Sequence, residues 1–250
     1  MTLKEIVAKN GKITVHVVGG TVSVPPARIA DIKAAVGSAN VVEDRVTPNG
    51  NRYDLAAAIA RRAAAKNGGA PIACLIANGA DDTKFFDALA LSAISANKGA
   101  PILLVSKDEV PAATNSALKQ FKTVNSAMPV VVGGGPATVS ESVRKKVGGE
   151  RWSGSDRFST ATTIGTKAIG KGWLAPTSVG VAAKLPDALA GGAFIGHEGG
   201  VLLLTQTNTL PSATGSWISS HKSTIADSYI FGGPASVTNS VKSQIDAKLK

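Results

Sequence analysis

The chain predicts an α/β fold of tandem Rossmann-like three-layer units with short parallel sheets, and three observations carry that prediction. A glycine block recurs as Val17-Val18-Gly19-Gly20, Val132-Gly133-Gly134-Gly135 and Phe231-Gly232-Gly233, so Gly19, Gly134 and Gly232 correspond at spacings of 115 (134 − 19) and 98 (232 − 134) residues. A second pair of segments matches at an offset of 100: Asp87-Ala-Leu-Ala90 with Asp187-Ala-Leu-Ala190, and Pro101–Val105 with Val201–Thr205. Finally, the Val/Ile/Leu runs are continuous rather than alternating. Such runs suit strands buried on both faces, and the helix-length segments between them make those strands parallel.

The elements of the last unit can be justified in order. Residues 161–171 read as a helix, and 178–183 as an apolar strand ending in a loop. Pro186-Asp187 opens a helix of small residues, with Asp187 at or beside its N-cap, where a carboxylate satisfies free N–H groups and the dipole. Gly199-Gly200 ends that helix, 201–205 is a strand, and 211–221 is a helix opened by proline. A third strand covers 229–231, Gly232-Gly233 turns the chain, and Pro234 suits the first turn of a helix over 236–248. Ser23, Thr138 and Ser236 are expected to assist helix starts at the three glycine blocks.

Residues 1–44 read as the last third of one unit, 45–150 as a full unit and 151–250 as another. Leu3-Lys4…Ile6 aligns with Leu118-Lys119…Phe121 at the offset of 115, so the chain opens inside a repeat. Two explanations stay open: an upstream part was removed, or a neighbouring chain completes the short unit.

Composition narrows the class of function. The chain has 250 residues, is 44% hydrophobic, and carries a net charge of +10. No run approaches the roughly 20 apolar residues of a membrane span, so no membrane insertion is expected, and the N-terminus shows no apolar signal core. The single cysteine, Cys74, sits in an apolar run and reads as a small buried hydrophobe. A basic surface favours polyanionic partners. Aromatics at 4% and the lack of a base-stacking array argue against nucleic acid.

Arg151 and Arg157 flank Ser153-Gly-Ser-Asp156 just before a helix, and Arg45 and Arg52 are their counterparts in the preceding unit. Arginine forks suit phosphate or carboxylate, and a helix N-terminus adds its own anion preference. The structural alternative pairs Arg157 with Asp187 to tie loop to helix within one unit. Asp87 and Asp187 read first as helix caps, which also allows them to fix an arginine. The glycine blocks lack both Gly-x-Gly-x-x-Gly spacing and a following Gly-Lys-[Ser/Thr], so they read as strand-to-helix turns and no nucleotide cofactor is expected. Neither a catalytic group nor a metal site emerges: His16, His197 and His221 do not recur in the repeat. Asp81-Asp82 reads as a solvated turn. Trp152, Trp173 and Trp217 look too dispersed for a sugar-stacking platform.

Taken in order, these motifs resemble the bacterial cell-wall-binding repeat type 2 family of S-layer and wall-associated proteins and some phage lytic enzymes. The resemblance rests on Arg151-Trp-Ser-Gly-Ser-Asp-Arg157-Phe158, Pro186-Asp-Ala-Leu-Ala-Gly191, Leu202-Leu-Leu204, Leu210-Pro211 and Phe231-Gly-Gly-Pro-Ala-Ser-Val237, and it covers nearly the whole chain. It implies Rossmann-like domains, commonly three in a pseudo-threefold ring, that anchor proteins non-covalently to anionic wall polysaccharides. The chain departs in its two-and-a-third copies, in the longer loop between Arg45 and Arg52, and in Phe86 where the second copy has Pro186.

The expected function is a non-catalytic module attaching its parent protein or particle to an anionic cell-wall polymer of Gram-positive bacteria, teichoic acid or another charged glycan. Its expected ligand-binding residues are Arg151, Arg157, Asp187, Arg45, Arg52 and Asp87. The alternative is a structural or assembly protein, an S-layer or phage virion component, using the repeats for contacts between chains in a homo-oligomer such as a trimer. Either places it at the cell wall, at the extracellular surface or on a virion.

Overall fold

The computed structural model describes residues 2–43, 50–66, 68–80 and 84–250. The N-terminal segment runs α1 (Leu3–Asn10), β1 (Val15–Val17), α2 (Pro26–Val36) and β2 (Val41–Glu43). Next come α3 (Arg52–Lys66), β3 (Cys74–Asn78), α4 (Phe86–Lys98), β4 (Ile102–Val105), α5 (Ala112–Val124), β5 (Val130–Gly133), α6 (Glu141–Val147) and β6 (Glu150–Trp152). The pattern then repeats as α7 (Arg157–Gly170), β7 (Ser178–Ala182), α8 (Leu185–His197), β8 (Val201–Leu204), α9 (Ser212–His221), β9 (Asp227–Phe231) and α10 (Asn239–Leu249).

Three small parallel sheets result, ordered β1-β2, β4-β3-β5-β6 and β8-β7-β9. The continuous apolar runs have the predicted consequence, since every residue of β3, β5, β7 and β8 is buried. Cys74 opens β3 and is fully buried, and that burial pushes its thiol up to about 12.

How the units join matters most for function. Strand β6 closes the sheet of the unit before it, with Arg151 opposite Val132 and Trp152 opposite Gly133. The helix that follows, α7, instead packs on β8 and α4. The same crossing occurs earlier, where β2 completes β1 and α3 packs on β4. At the join of the two full units, β6 ties the sheet of one to the helix that opens the next.

Side chains continue the join. One buried cluster runs from Leu75, Leu91 and Ile94 to Ile164, Ile195 and Leu202 across both full units. At its centre the equivalent helices α4 and α8 pack closely, because α8 presents glycines. A Cβ on Gly196 would lie 2.5 Å from the Ala93 carbonyl oxygen, and one on Gly192 would collide with Ser92. Asn97 Nδ2 donates to the Gly196 carbonyl at 2.9 Å across the same contact.

Several local expectations need correction. Helices α6 and α10 start at Glu141 and Asn239, beyond Thr138 and Ser236. The residues after each glycine pair first close a tight turn, through Thr138 and Val139 N–H to Gly135 O and through Ser236 and Val237 N–H to Gly233 O. That turn plugs Val139 and Val237 into the core, and Pro136 and Pro234 belong to it rather than to the helix. Ser140 caps α6 instead, accepting the Val143 N–H at 3.4 Å. Ser23 lies in the equivalent turn, and α2 begins after Pro25 without a side-chain cap. Helix α7 starts earlier than residue 161, at Arg157, because Asp156 and Ser159 form a capping box. The tryptophans are also less dispersed than expected: Trp152, fully buried, meets Trp173 at 5.6 Å between ring centroids.

Candidate functional site at the junction between units

Two clefts occupy equivalent places, each where the glycine turn of one unit faces the first helix of the next. The larger, of about 400 Å³, is lined by Gly135, Thr138, Asp87, Lys84, Asp156 and Arg157 among others. The smaller, of about 240 Å³, is lined by Gly19, Gly20, Ser23, Asn51 and Arg52. Gly20, Ser23 and Arg52 are the repeat counterparts of Gly135, Thr138 and Arg157. The repeat in sequence thus reappears as a repeated concavity between units.

Arg157 is the first residue of α7, exposed, and placed across the junction from α4. Its guanidinium carbon lies 4.3 Å from the centroid of the Phe86 ring and 4.8 Å from that of Phe158. Two aromatic faces hold the cation by the attraction of their negative quadrupoles and reduce its mobility. Among the described residues it makes no ion pair with Asp187. Arg157 lines the cleft at the start of α7, where the capping carboxylate of Asp156 already takes the first amides. Asp156 caps that helix by accepting the Ser159 N–H at 2.7 Å, and this bond holds its carboxyl below the usual range.

Arg151 has a different role. It is only 15% exposed, and it donates to the carbonyls of Gly134 at 2.6 Å, Val139 at 2.9 Å and Ser140 at 3.4 Å, with Glu141 at 3.4 Å. It therefore braces the glycine turn from the neighbouring strand. Glu141 is held down to about 2 by hydrogen bonds, first from Arg144 and then from Arg151. The two arginines of one loop thus divide into a brace and a cleft-lining cation.

Asp87 and Asp187 occupy the first turns of α4 and α8 without capping them; the N-cap positions belong to Phe85 and Lys184. Each carboxylate reaches over the glycine turn of its own unit. A Cβ on Gly134 would collide with Asp87, and one on Gly232 would lie 2.5 Å from Asp187 Oδ2. Both glycines have positive φ, at 95° and 102°, so the chain needs glycine here twice over. The two aspartates differ in cover: Asp87 is 7% exposed, whereas Asp187 is only partly buried. Burial pushes the Asp87 carboxyl up to about 6, against the lowering effect of a hydrogen bond from the Thr138 side chain.

Arg52 lines the smaller cleft, donates to the Gly79 carbonyl at 2.6 Å and lies 5.9 Å from the Phe85 ring. Arg45 and the Asp81-Asp82 pair lie outside the described residues. The structure brings Arg157, Asp87 and Arg52 to clefts, whereas Asp187, in the first turn of α8, is only partly buried. Sequence reasoning passed over Lys84 and the aromatic support of Phe86; the only signal was the aromatic at the position of Pro186. Among the described residues, no cluster of histidine, cysteine or carboxylate groups has the makings of a metal site.

Comparison with known proteins decides the family. A model described as cell wall binding domain 2 (CWB2) matches residues 49–144 and 151–242. The chain belongs to this family. Its CWB2 repeats place it among cell-wall attachment domains, as the motif resemblance implied. The N-acetylmuramoyl-L-alanine amidase LytC of Bacillus subtilis (strain 168) is 30% identical over 246 residues, which cover 97% of this chain and 44% of that protein. Cwp8 from Clostridium difficile shares the fold at a TM-score of 0.75 and 21% identity, over 98% of this chain and 40% of that one. Cwp6 from the same organism does so at 0.63 and 22% identity, over 80% and 30%. The CWB2 chain spans less than half the length of each of these relatives.

Proposed function

We propose that the chain is a non-catalytic anchor that holds its parent protein on the cell wall by binding an anionic wall polymer at the junctions between repeats. Arg157 carries this proposal: an arginine held by two aromatic rings, with no ion pair among the described residues, lining a cleft of about 400 Å³ at a helix N-terminus. A phosphodiester or carboxylate there would gain charge-assisted hydrogen bonds from the guanidinium. Arg52 offers a related but partly committed cation in the smaller cleft. Weak sites one repeat apart, engaged by a long polymer, give avidity beyond either site alone.

The test is a pull-down on purified Gram-positive walls, before and after mild acid removal of anionic polymers, across a salt series. Binding that disappears on stripping and weakens with salt supports the proposal. Equal binding to stripped walls contradicts it.

A second function, assembly with other chains or repeats, is favoured by a specific surface. Helix α8 exposes Leu185, Leu189 and Phe194, with Leu189 58% accessible. Light-scattering mass over a concentration series tests this: a mass above one chain that grows with concentration supports assembly, and one chain throughout contradicts it.

A further inference from the structure

We propose that Asp87 makes the larger junction cleft an acid-tuned site, binding its polyanion more tightly as pH falls from 7.5 to 5. This rests on the function proposed above and adds a regulator to it.

The argument begins with placement. Asp87 is buried in the wall of the cleft, its carboxylate lying over Gly134 and hydrogen-bonded by Thr138. The charged groups facing that wall come from each element packed there. Lys84 precedes α4, Asp156 and Arg157 open α7, and Arg151 from β6 grips the Gly134 carbonyl. Asp81 and Asp82, earlier in the chain, lie outside the described residues. Among the described cleft-lining groups, Asp87 and Asp156 bring negative charge and Lys84 and Arg157 positive charge, and protonating Asp87 removes one negative charge from the wall.

Burial makes this change fall in a useful range, because it disfavours the carboxylate and moves its titration to about 6. Gly154 to Phe158, belonging to the next unit, line the same cleft as Asp87, so its carboxyl faces the place where a ligand held by Arg157 would lie.

The sign follows from linkage. A bound anion destabilises a neighbouring carboxylate, so it raises the pKa of Asp87 and binding takes up a proton. Phosphodiesters stay ionised throughout this range, so the change in affinity belongs to the protein. At such separations and an intermediate dielectric, the loss of one repulsive charge is worth about five- to tenfold in affinity.

The experiment measures binding of the full chain to teichoic-acid-bearing wall fragments from pH 5 to 8 at constant ionic strength. Wild type is compared with Asp87→Asn and Thr138→Val. Affinity should rise about five- to tenfold between pH 7.5 and 5 in wild type. Asp87→Asn should bind at the tighter level throughout, with a flat profile. Thr138→Val removes a hydrogen bond that favours the ionised form, so its midpoint should move to higher pH. Wild-type binding that is flat with pH, or a pH profile that survives Asp87→Asn, overturns the acid tuning while leaving the anchor function intact. Failure of wild type to bind at any pH overturns both. Should Asp87→Asn fold poorly, the shifted midpoint of Thr138→Val decides alone.

Discussion

The guanidinium of Arg157, in the second full repeat, lies 4.3 Å from the ring of Phe86 in the first, so the cation that lines the larger cleft is positioned by the unit before its own. Binding chemistry located between repeats has consequences that differ from those of a site within one repeat.

Arg157→Gln should weaken wall binding several-fold with little change in melting temperature, because the side chain is exposed and makes no ion pair among the described residues. Arg151→Gln should do the reverse. It removes the donor to three backbone carbonyls, and leaving such acceptors underbonded costs about 1–3 kcal/mol. Paired thermal melts and wall-binding isotherms separate the two. A loss of stability in Arg157→Gln, or none in Arg151→Gln, would reverse the assignment.

Gly134→Ala should be among the most damaging small substitutions in the chain. The residue has φ of 95°, and its new Cβ would meet the Asp87 carboxylate. Positive φ alone costs a side chain about 1–2 kcal/mol, before the collision. Gly135→Ala next to it meets nothing within 4 Å and should be nearly silent. Chemical denaturation of the two variants side by side is the check.

Asp87→Asn should stabilise the fold at neutral pH. The Asp87 carboxyl titrates at about 6 in the folded chain, above its ordinary 3.8. Its contribution to stability is therefore fully present below pH 3.8 and is lost as pH rises through 6, leaving a deficit of about 3 kcal/mol at most. The gain from asparagine should be visible at pH 7.5 and vanish near pH 4. An acid held at such a disadvantage is what a functional position would show. Glu141 works in the opposite sense: held down to about 2, it adds stability above its usual range that fades as pH falls towards 2.

Gly196→Leu should separate the two full repeats. A Cβ there already meets the Ala93 carbonyl oxygen at 2.5 Å and Ala96 at 2.7 Å, so a larger side chain must push α8 off α4. The expected result is a lower melting temperature together with faster proteolysis. A variant as stable as wild type would show that this helix contact is dispensable.

Much of the architecture was legible because its signals are local. Glycine blocks mark turns where positive φ is needed, continuous Val/Ile/Leu runs mark buried parallel strands, and the offset of 100 residues marks α4 and α8 as equivalent helices. Helix starts were less legible, since the turn after each glycine pair closes on its own backbone and postpones the helix to Glu141 or Asn239. The site was only half visible. Arg151 and Arg157 stand six residues apart in one loop, yet one faces the turn from a strand and the other opens a helix. That division depends on β6 joining the preceding sheet, a tertiary event with no local signature. The support from Phe86 was hidden for the same reason, because the two residues meet only through the contact between units.

The central claim is that Arg157 binds an anionic wall polymer. The most direct measurement is the affinity of wild type and Arg157→Gln for intact and polymer-stripped walls at low and high salt. The account predicts that Arg157→Gln loses most of the salt-sensitive binding to intact walls while keeping the wild-type melting temperature. Undiminished binding by Arg157→Gln to intact walls at low salt would contradict it.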